Sequence, residues 1–243
     1  MIEVKTEQLG DHEILHAFPA GLSEQPLPVV IFYHGFTSSK LVYSYFAVAL
    51  AQAGFRVVMP DAPQHGARFS GDEQARLGQF WPILHGSLTE FAGLRDALVQ
   101  AGLVEDNRLA VAGASMGGMA ALGIMTRHPE VKCVASLMGS GYFTTLARTL
   151  FPPQDEQGFD AILAPLASWE VTHALPQLAN RPLLLWHGEA DDVVPAVETF
   201  RLQQALQRDG LDSNLTCLWE AGVRHRITPT ALEATVGFFE KHL

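Results

Sequence analysis

Gly113-Ala114-Ser115-Met116-Gly117 is a G-x-S-x-G run, the spacing that a nucleophilic serine needs at a sharp turn between a strand and a helix. Glycines two residues before and two after Ser115 leave room where strand and helix cross closely. The helix that follows points unsatisfied N–H groups and the positive end of its dipole at the reacting oxygen. A serine hydroxyl is inert at neutral pH until a base takes its proton and a third group orients that base. Ser115 therefore predicts acyl transfer through a covalent intermediate, provided that a histidine and a carboxylate reach it. Ten histidines and 26 aspartates and glutamates are available.

The elements that must position these groups alternate along the chain. Strand-like runs, apolar throughout, occupy Pro28–Tyr33, Phe55–Met59, Leu109–Ala112, Cys133–Met138, Pro182–Trp186 and Leu215–Trp219. Strands buried on both faces of a parallel sheet read this way. Helical patterns cover Tyr43–Ala53, Gly78–Ala101, Met116–Arg127, Ala196–Gln207 and Pro229–His242. The alternation predicts an α/β fold: a mostly parallel twisted sheet of about eight strands with helices on both faces, the N-terminal His12–Phe18 run adding an edge strand or hairpin. In such sheets the chemistry sits in the loops after the strands. The 243 residues fit one domain. The long stretch 139–181, with Pro152-Pro153, Pro165 and Pro176, reads as a lid insertion or as filling at a sheet edge. Its aromatics, Tyr142 and Phe143 first, are the candidate lining of an apolar acyl pocket.

Where a nucleophile elbow opens such a sheet, its partners follow in the order serine, acid, histidine. After Ser115 come His128, His173, His187, His225 and His242. His128 closes the helix that Ser115 opens, His242 ends the last helix, and His173 and His187 precede the acidic candidates. His225, in the loop before the last helix, remains as the base. The acid belongs after Pro182–Trp186, where Glu189, Asp191 and Asp192 compete. The oxyanion hole needs two backbone donors: Met116 N–H, and Phe36 N–H from the His34-Gly35-Phe36-Thr37 loop. His34 and His65 read as groups that brace their loops. An imidazole base active only when neutral predicts a rate that rises through roughly pH 6–7.5.

The elbow GASMGG, the HGFTSS and DAPQHG loops, and HGEADDVVP followed by GVRHRI resemble the small bacterial α/β-hydrolase esterases. The resemblance runs along essentially the whole chain and all its motif positions are filled. Its HGxxDxxVP segment selects Asp191 as the acid, leaving Asp192 as a solvated neighbour or helix cap. The resemblance implies hydrolysis of short-acyl esters by Ser115, Asp191 and His225 with no cofactor. Alternatives are an amidase, peptidase or thioesterase using the same residues, and an inactive α/β-hydrolase that only binds.

Other chemistries fit poorly. His12-Glu13-Ile14-Leu15-His16 matches H-E-x-x-H, but Gly10 and Pro19 confine it. As a strand it would hold its histidines about 13 Å apart, too far to share a zinc. No metal is expected. A net charge of −10 argues against nucleic acid as a partner, and no apolar run is long enough to span a bilayer. The polar start predicts a cytoplasmic location, and with it Asn214-Leu215-Thr216 is a chance sequon. Cys133 and Cys217 should be free thiols, because their strands flank a third. Oligomeric state is not legible.

Overall fold

Strands that are apolar on both sides need cover on both sides, and two layers of helices supply it. The computed structural model describes residues 1–153 and 156–243. Its strands are β1 Ile2–Leu9, β2 His12–Pro19, β3 Leu27–Tyr33, β4 Arg56–Pro60, β5 Val104–Ala114, β6 Val134–Leu137, β7 Leu183–Gly188 and β8 Leu215–Glu220. They form one sheet in the order β1-β2-β4-β3-β5-β6-β7-β8. From β4 to β8 every pair is parallel, while β2 runs antiparallel to both β1 and β4.

The helices are α1 Ser44–Gln52, α2 Glu73–Leu77, α3 Phe80–Gln100, α4 Met116–Arg127, α5 Phe143–Leu146, α6 Glu156–Ala167, α7 Leu175–Ala179, α8 Val197–Arg208 and α9 Pro229–His242. Successive strand side chains point to opposite faces, so each strand feeds two cores. Val29, Ile31, Val111, Leu183 and Leu185 join α3, α4 and α8 on one face. Val30, Phe32, Ala110, Ala112, Leu184 and Trp186 join α1 and α9 on the other. This is the mostly parallel, doubly covered sheet expected from the strand and helix pattern, in the α/β-hydrolase arrangement that the motif resemblance implies. Among the described residues no helix is long and apolar enough to cross a membrane.

Three details refine the sequence reading. The N-terminal segment takes the hairpin alternative, with β1 as the outer strand paired to β2. Its residues alternate with Glu3, Lys5 and Glu7 and are at most half buried, the charged composition that guards a sheet edge. Strand β5 begins five residues early, passing a register shift against β3 with Asp106 and Asn107 at positive φ. The stretch 139–181, of which 154 and 155 lie outside the described residues, carries α5, α6 and α7. Leu163, Leu166, Trp169, Val171 and Leu178 in it are buried in the same core as α3 and α4.

Cys133, at the foot of β6, and Cys217, on β8, are both free, with β7 between their strands.

Candidate active site

Ser115 sits between β5 and α4 with φ 57° and ψ −119°, a backbone conformation that costs a non-glycine residue on the order of 1–3 kcal/mol. Its N–H donates to Leu137 O at 2.8 Å, tying the turn to the neighbouring strand. The flanking glycines are required by contact. A Cβ at Gly113 would lie 2.2 Å from Gly117 O, and one at Gly117 would lie 2.0 Å from Tyr33 O. The turn therefore presents Ser115 Oγ at the carboxyl end of the sheet, directly before the free N–H groups of α4.

Two loops bring the partners to it. His225 Nε2 lies 2.8 Å from Ser115 Oγ, and His225 Nδ1 lies 2.7 Å from Asp191 Oδ2. Of the three competing carboxylates, Asp191 alone makes this contact. Its other oxygen accepts Val193 N–H at 2.9 Å and Val194 N–H at 3.0 Å. Burial would raise the pKa of Asp191, but hydrogen bonds from His187, His225 and Val193 N–H outweigh it. They hold the carboxyl well below the usual carboxylate range. Asp192 is exposed and pairs with Arg224 across the loops; Glu189 is exposed.

The loop carrying Phe36 is held by two cross-braces. Ala62 N–H donates to His34 Nε2 at 3.0 Å, and His34 Nδ1 faces Gly35 O at 2.8 Å. Thr37 N–H donates to His65 Nε2 at 2.9 Å, and His65 Nδ1 faces Pro63 O at 2.8 Å. Each ring donates at Nδ1 and accepts at Nε2, so each must be neutral. Behind them the buried Lys40 Nζ contacts Asp61 Oδ2 at 2.5 Å and Glu13 Oε1 at 2.9 Å. Asp61 also accepts Lys40 N–H and Ala67 N–H, so it clamps the 61–67 loop to the start of α1. Phe36 N–H and Met116 N–H thus belong to backbone held in place by neighbouring hydrogen bonds.

Burial pushes His34 down to about 4 against its bond to Gly35 O, and burial also lowers His16 and His65. The sign for stability follows directly. Below about 6.5 the unfolded histidines bind protons that the folded ones refuse, so stability falls as the pH drops towards 4. Thermal unfolding followed by circular dichroism is expected to give a Tm that declines steadily from about pH 6.5 to about pH 4. A flat Tm across that window would contradict the neutral braces.

Both candidate acyl-pocket residues are buried. Phe143 is fully buried, packed near Gly123 in the core below α4. Tyr142 is also buried, with the Arg201 guanidinium 3.9 Å over its ring. Composition flagged the segment as aromatic but could not say which way its rings point. The aromatics beside the Phe36 loop are instead Phe80 and Phe151, with ring centroids 5.0 and 5.1 Å from Phe36. The H-E-x-x-H segment is strand β2, with His16 bonded to Glu7 and Arg56.

The fold and the serine elbow define a serine hydrolase of the α/β-hydrolase fold. Within that class the chain belongs to the prolyl oligopeptidase family, which residues 41–243 match. It is 62% identical over 249 aligned positions to Esterase YjfP of Escherichia coli (strain K12), covering all of both chains. TT1662 from Thermus thermophilus superposes with a TM-score of 0.79 at 22% identity, over 99% of this chain and 98% of that one. A puromycin-hydrolyzing peptidase of Mycobacterium tuberculosis gives 0.74 at 21% identity, over 98% of this chain but 40% of that one.

Proposed function

We propose that the protein is a carboxylesterase acting on small, short-acyl esters through Ser115, His225 and Asp191. The observation that carries this reading is the continuous hydrogen-bond chain Asp191 Oδ2–His225 Nδ1 and His225 Nε2–Ser115 Oγ, at 2.7 and 2.8 Å. The esterase relative at 62% identity supports the ester as substrate.

Ser115 Oγ attacks the ester carbonyl carbon as His225 Nε2 takes its proton. The carbonyl π electrons move onto oxygen, and the N–H groups of Phe36 and Met116 stabilise that charge. Collapse re-forms the carbonyl and breaks the bond to the alcohol oxygen, which takes the proton from His225. Water then repeats the sequence on the acyl-enzyme, releasing the acid and restoring Ser115. Asp191 stays ionised throughout, fixing the His225 tautomer and stabilising its imidazolium.

Residues 1–243 act as one catalytic domain in this reading, with 139–181 as a small cap that carries Phe151 to the acyl side. The Phe36, Phe80 and Phe151 rings, with centroids within 5.1 Å of one another, form the apolar wall of the acyl side in this reading. A panel of p-nitrophenyl esters is expected to give the highest kcat/KM at about C2–C4 and a steep decline before about C8. A preference beyond C8 would reject the short-acyl assignment.

The family match favours a second reading, amide or peptide hydrolysis by the same residues. Turnover of p-nitroanilides at a rate matching the corresponding esters would select it over the esterase.

A further inference from the structure

The carboxylate of Asp191 lies between two histidines, and the chemistry above uses one of them. The other, His187, ends β7 and is fully buried, with the Trp219 ring stacked 6.3 Å away. Its Nε2 lies 2.9 Å from Val194 O and 3.2 Å from Asp191 Oδ2. Its Nδ1 lies 2.7 Å from Thr199 Oγ1, on α8. A carbonyl and a carboxylate can only accept, so Nε2 must carry the proton. Nδ1 faces the Thr199 hydroxyl, whose oxygen also lies 3.5 Å from Gly139 O. The Nε2–H is thus a second donor beside Asp191 Oδ2, the same oxygen that faces His225 Nδ1, while Asp191 Oδ1 is held by Val193 N–H and Val194 N–H.

We propose that His187 is a positioning residue for the acid. Its Nε2–H, shared between Asp191 Oδ2 and Val194 O, holds the carboxylate towards His225, while Thr199 holds the ring from its Nδ1 side. The inference rests on the Ser115–His225–Asp191 reading. His187 touches no substrate, so it acts on kcat through Asp191 and leaves KM alone. Losing the donor leaves His225 alone on Asp191 Oδ2 and turns more of that oxygen's charge towards it. The imidazolium of the free enzyme is then favoured, and the acid limb of kcat/KM moves to higher pH.

The other charged groups around the pair have their own partners. Asp192 on the same loop pairs with Arg224 on the loop before α9. Glu198 on α8 accepts from Ser140 Oγ, and Glu220 at the end of β8 accepts from Trp186 Nε1 and Thr228 Oγ1. Glu189 is exposed.

The test is steady-state hydrolysis of p-nitrophenyl acetate between about pH 5 and pH 9, with wild type, His187→Leu, His187→Gln, Thr199→Val and Asp191→Asn compared. His187→Leu is expected to lose about 10–100-fold in kcat, with KM within about 2-fold and the acid limb raised by about half a pH unit. His187→Gln, whose side-chain N–H reaches the Nε2 position, is expected to recover most of both. Thr199→Val is expected to move the limb the same way by less. An unmoved limb in His187→Leu, or equal losses in the Leu and Gln variants, would overturn the proposal and reduce His187 to packing. If the Leu variant does not fold, an unmoved limb in Thr199→Val overturns it equally. Full activity in Asp191→Asn would sink the triad reading itself, whereas an inactive Asp191→Asn beside a wild-type-like His187→Leu rejects only this inference.

Discussion

Replacing Ser115 by alanine is expected to lower kcat for a p-nitrophenyl ester by at least about 10³-fold, with little change in Tm. The reason is local. Ser115 Oγ is the atom that His225 Nε2 addresses at 2.8 Å, and no covalent intermediate can form without it. What survives in a triad of this kind is transition-state and substrate binding, which leaves a residual rate about 10³–10⁴-fold above that of water. The fold should be indifferent to the loss, because the backbone bonds of the turn, such as Ser115 N–H to Leu137 O, do not involve the hydroxyl. Alanine carries the same Cβ as serine and meets the same cost at φ 57°, so the backbone strain is unchanged by the substitution. A variant that keeps more than about a tenth of wild-type kcat would contradict the account.

Gly117→Ala is expected to have the largest effect on stability. The new Cβ would sit 2.0 Å from Tyr33 O and 2.8 Å from His34 O. Both are backbone atoms at the end of β3 and the start of the Phe36 loop, and neither can swing aside as a side chain can. Either α4 shifts off the sheet or β3 does, and both moves pull Ser115 from His225. A loss on the order of 4 kcal/mol is expected, which lowers Tm by roughly 8–16 °C in a chain of this size. Gly237→Ala is the control. Gly237 lies in α9 with nothing within 4 Å of an added Cβ, so the same substitution should stabilise by about 0.5–1 kcal/mol. Opposite signs at the two positions would show that contact, and not the loss of glycine as such, sets the outcome.

Groups whose positions follow from their local run of sequence were legible before any coordinates. The elbow needs only five residues between a strand and a helix, so Ser115, Met116 and the sheet carrying them could be read directly. His225 followed from chain order, and Asp191 from the HGxxDxxVP resemblance. The bounds of β1 are not legible because an edge strand buries little and its charged residues mimic a loop. The early half of β5 lies outside the apolar run Leu109–Ala112 because Glu105, Asp106 and Asn107 are polar. The braces of the Phe36 loop join residues 28 apart in both cases, His34 with Ala62 and Thr37 with His65. No periodicity encodes such pairs; only the loops' convergence at the sheet's carboxyl end creates them. Aromatic composition is likewise silent on direction: the rings of Tyr142 and Phe143, at the start of a short helix, are buried.

Covalent trapping tests the central claim most directly. Wild-type protein would be treated with an alkyl fluorophosphonate and its peptides read by mass spectrometry. The account predicts one stoichiometric adduct, on the peptide containing Ser115, abolished in Ser115→Ala and strongly slowed in His225→Ala. A wild-type adduct on a different residue, or undiminished labelling of Ser115→Ala, would show that Ser115 is not the nucleophile.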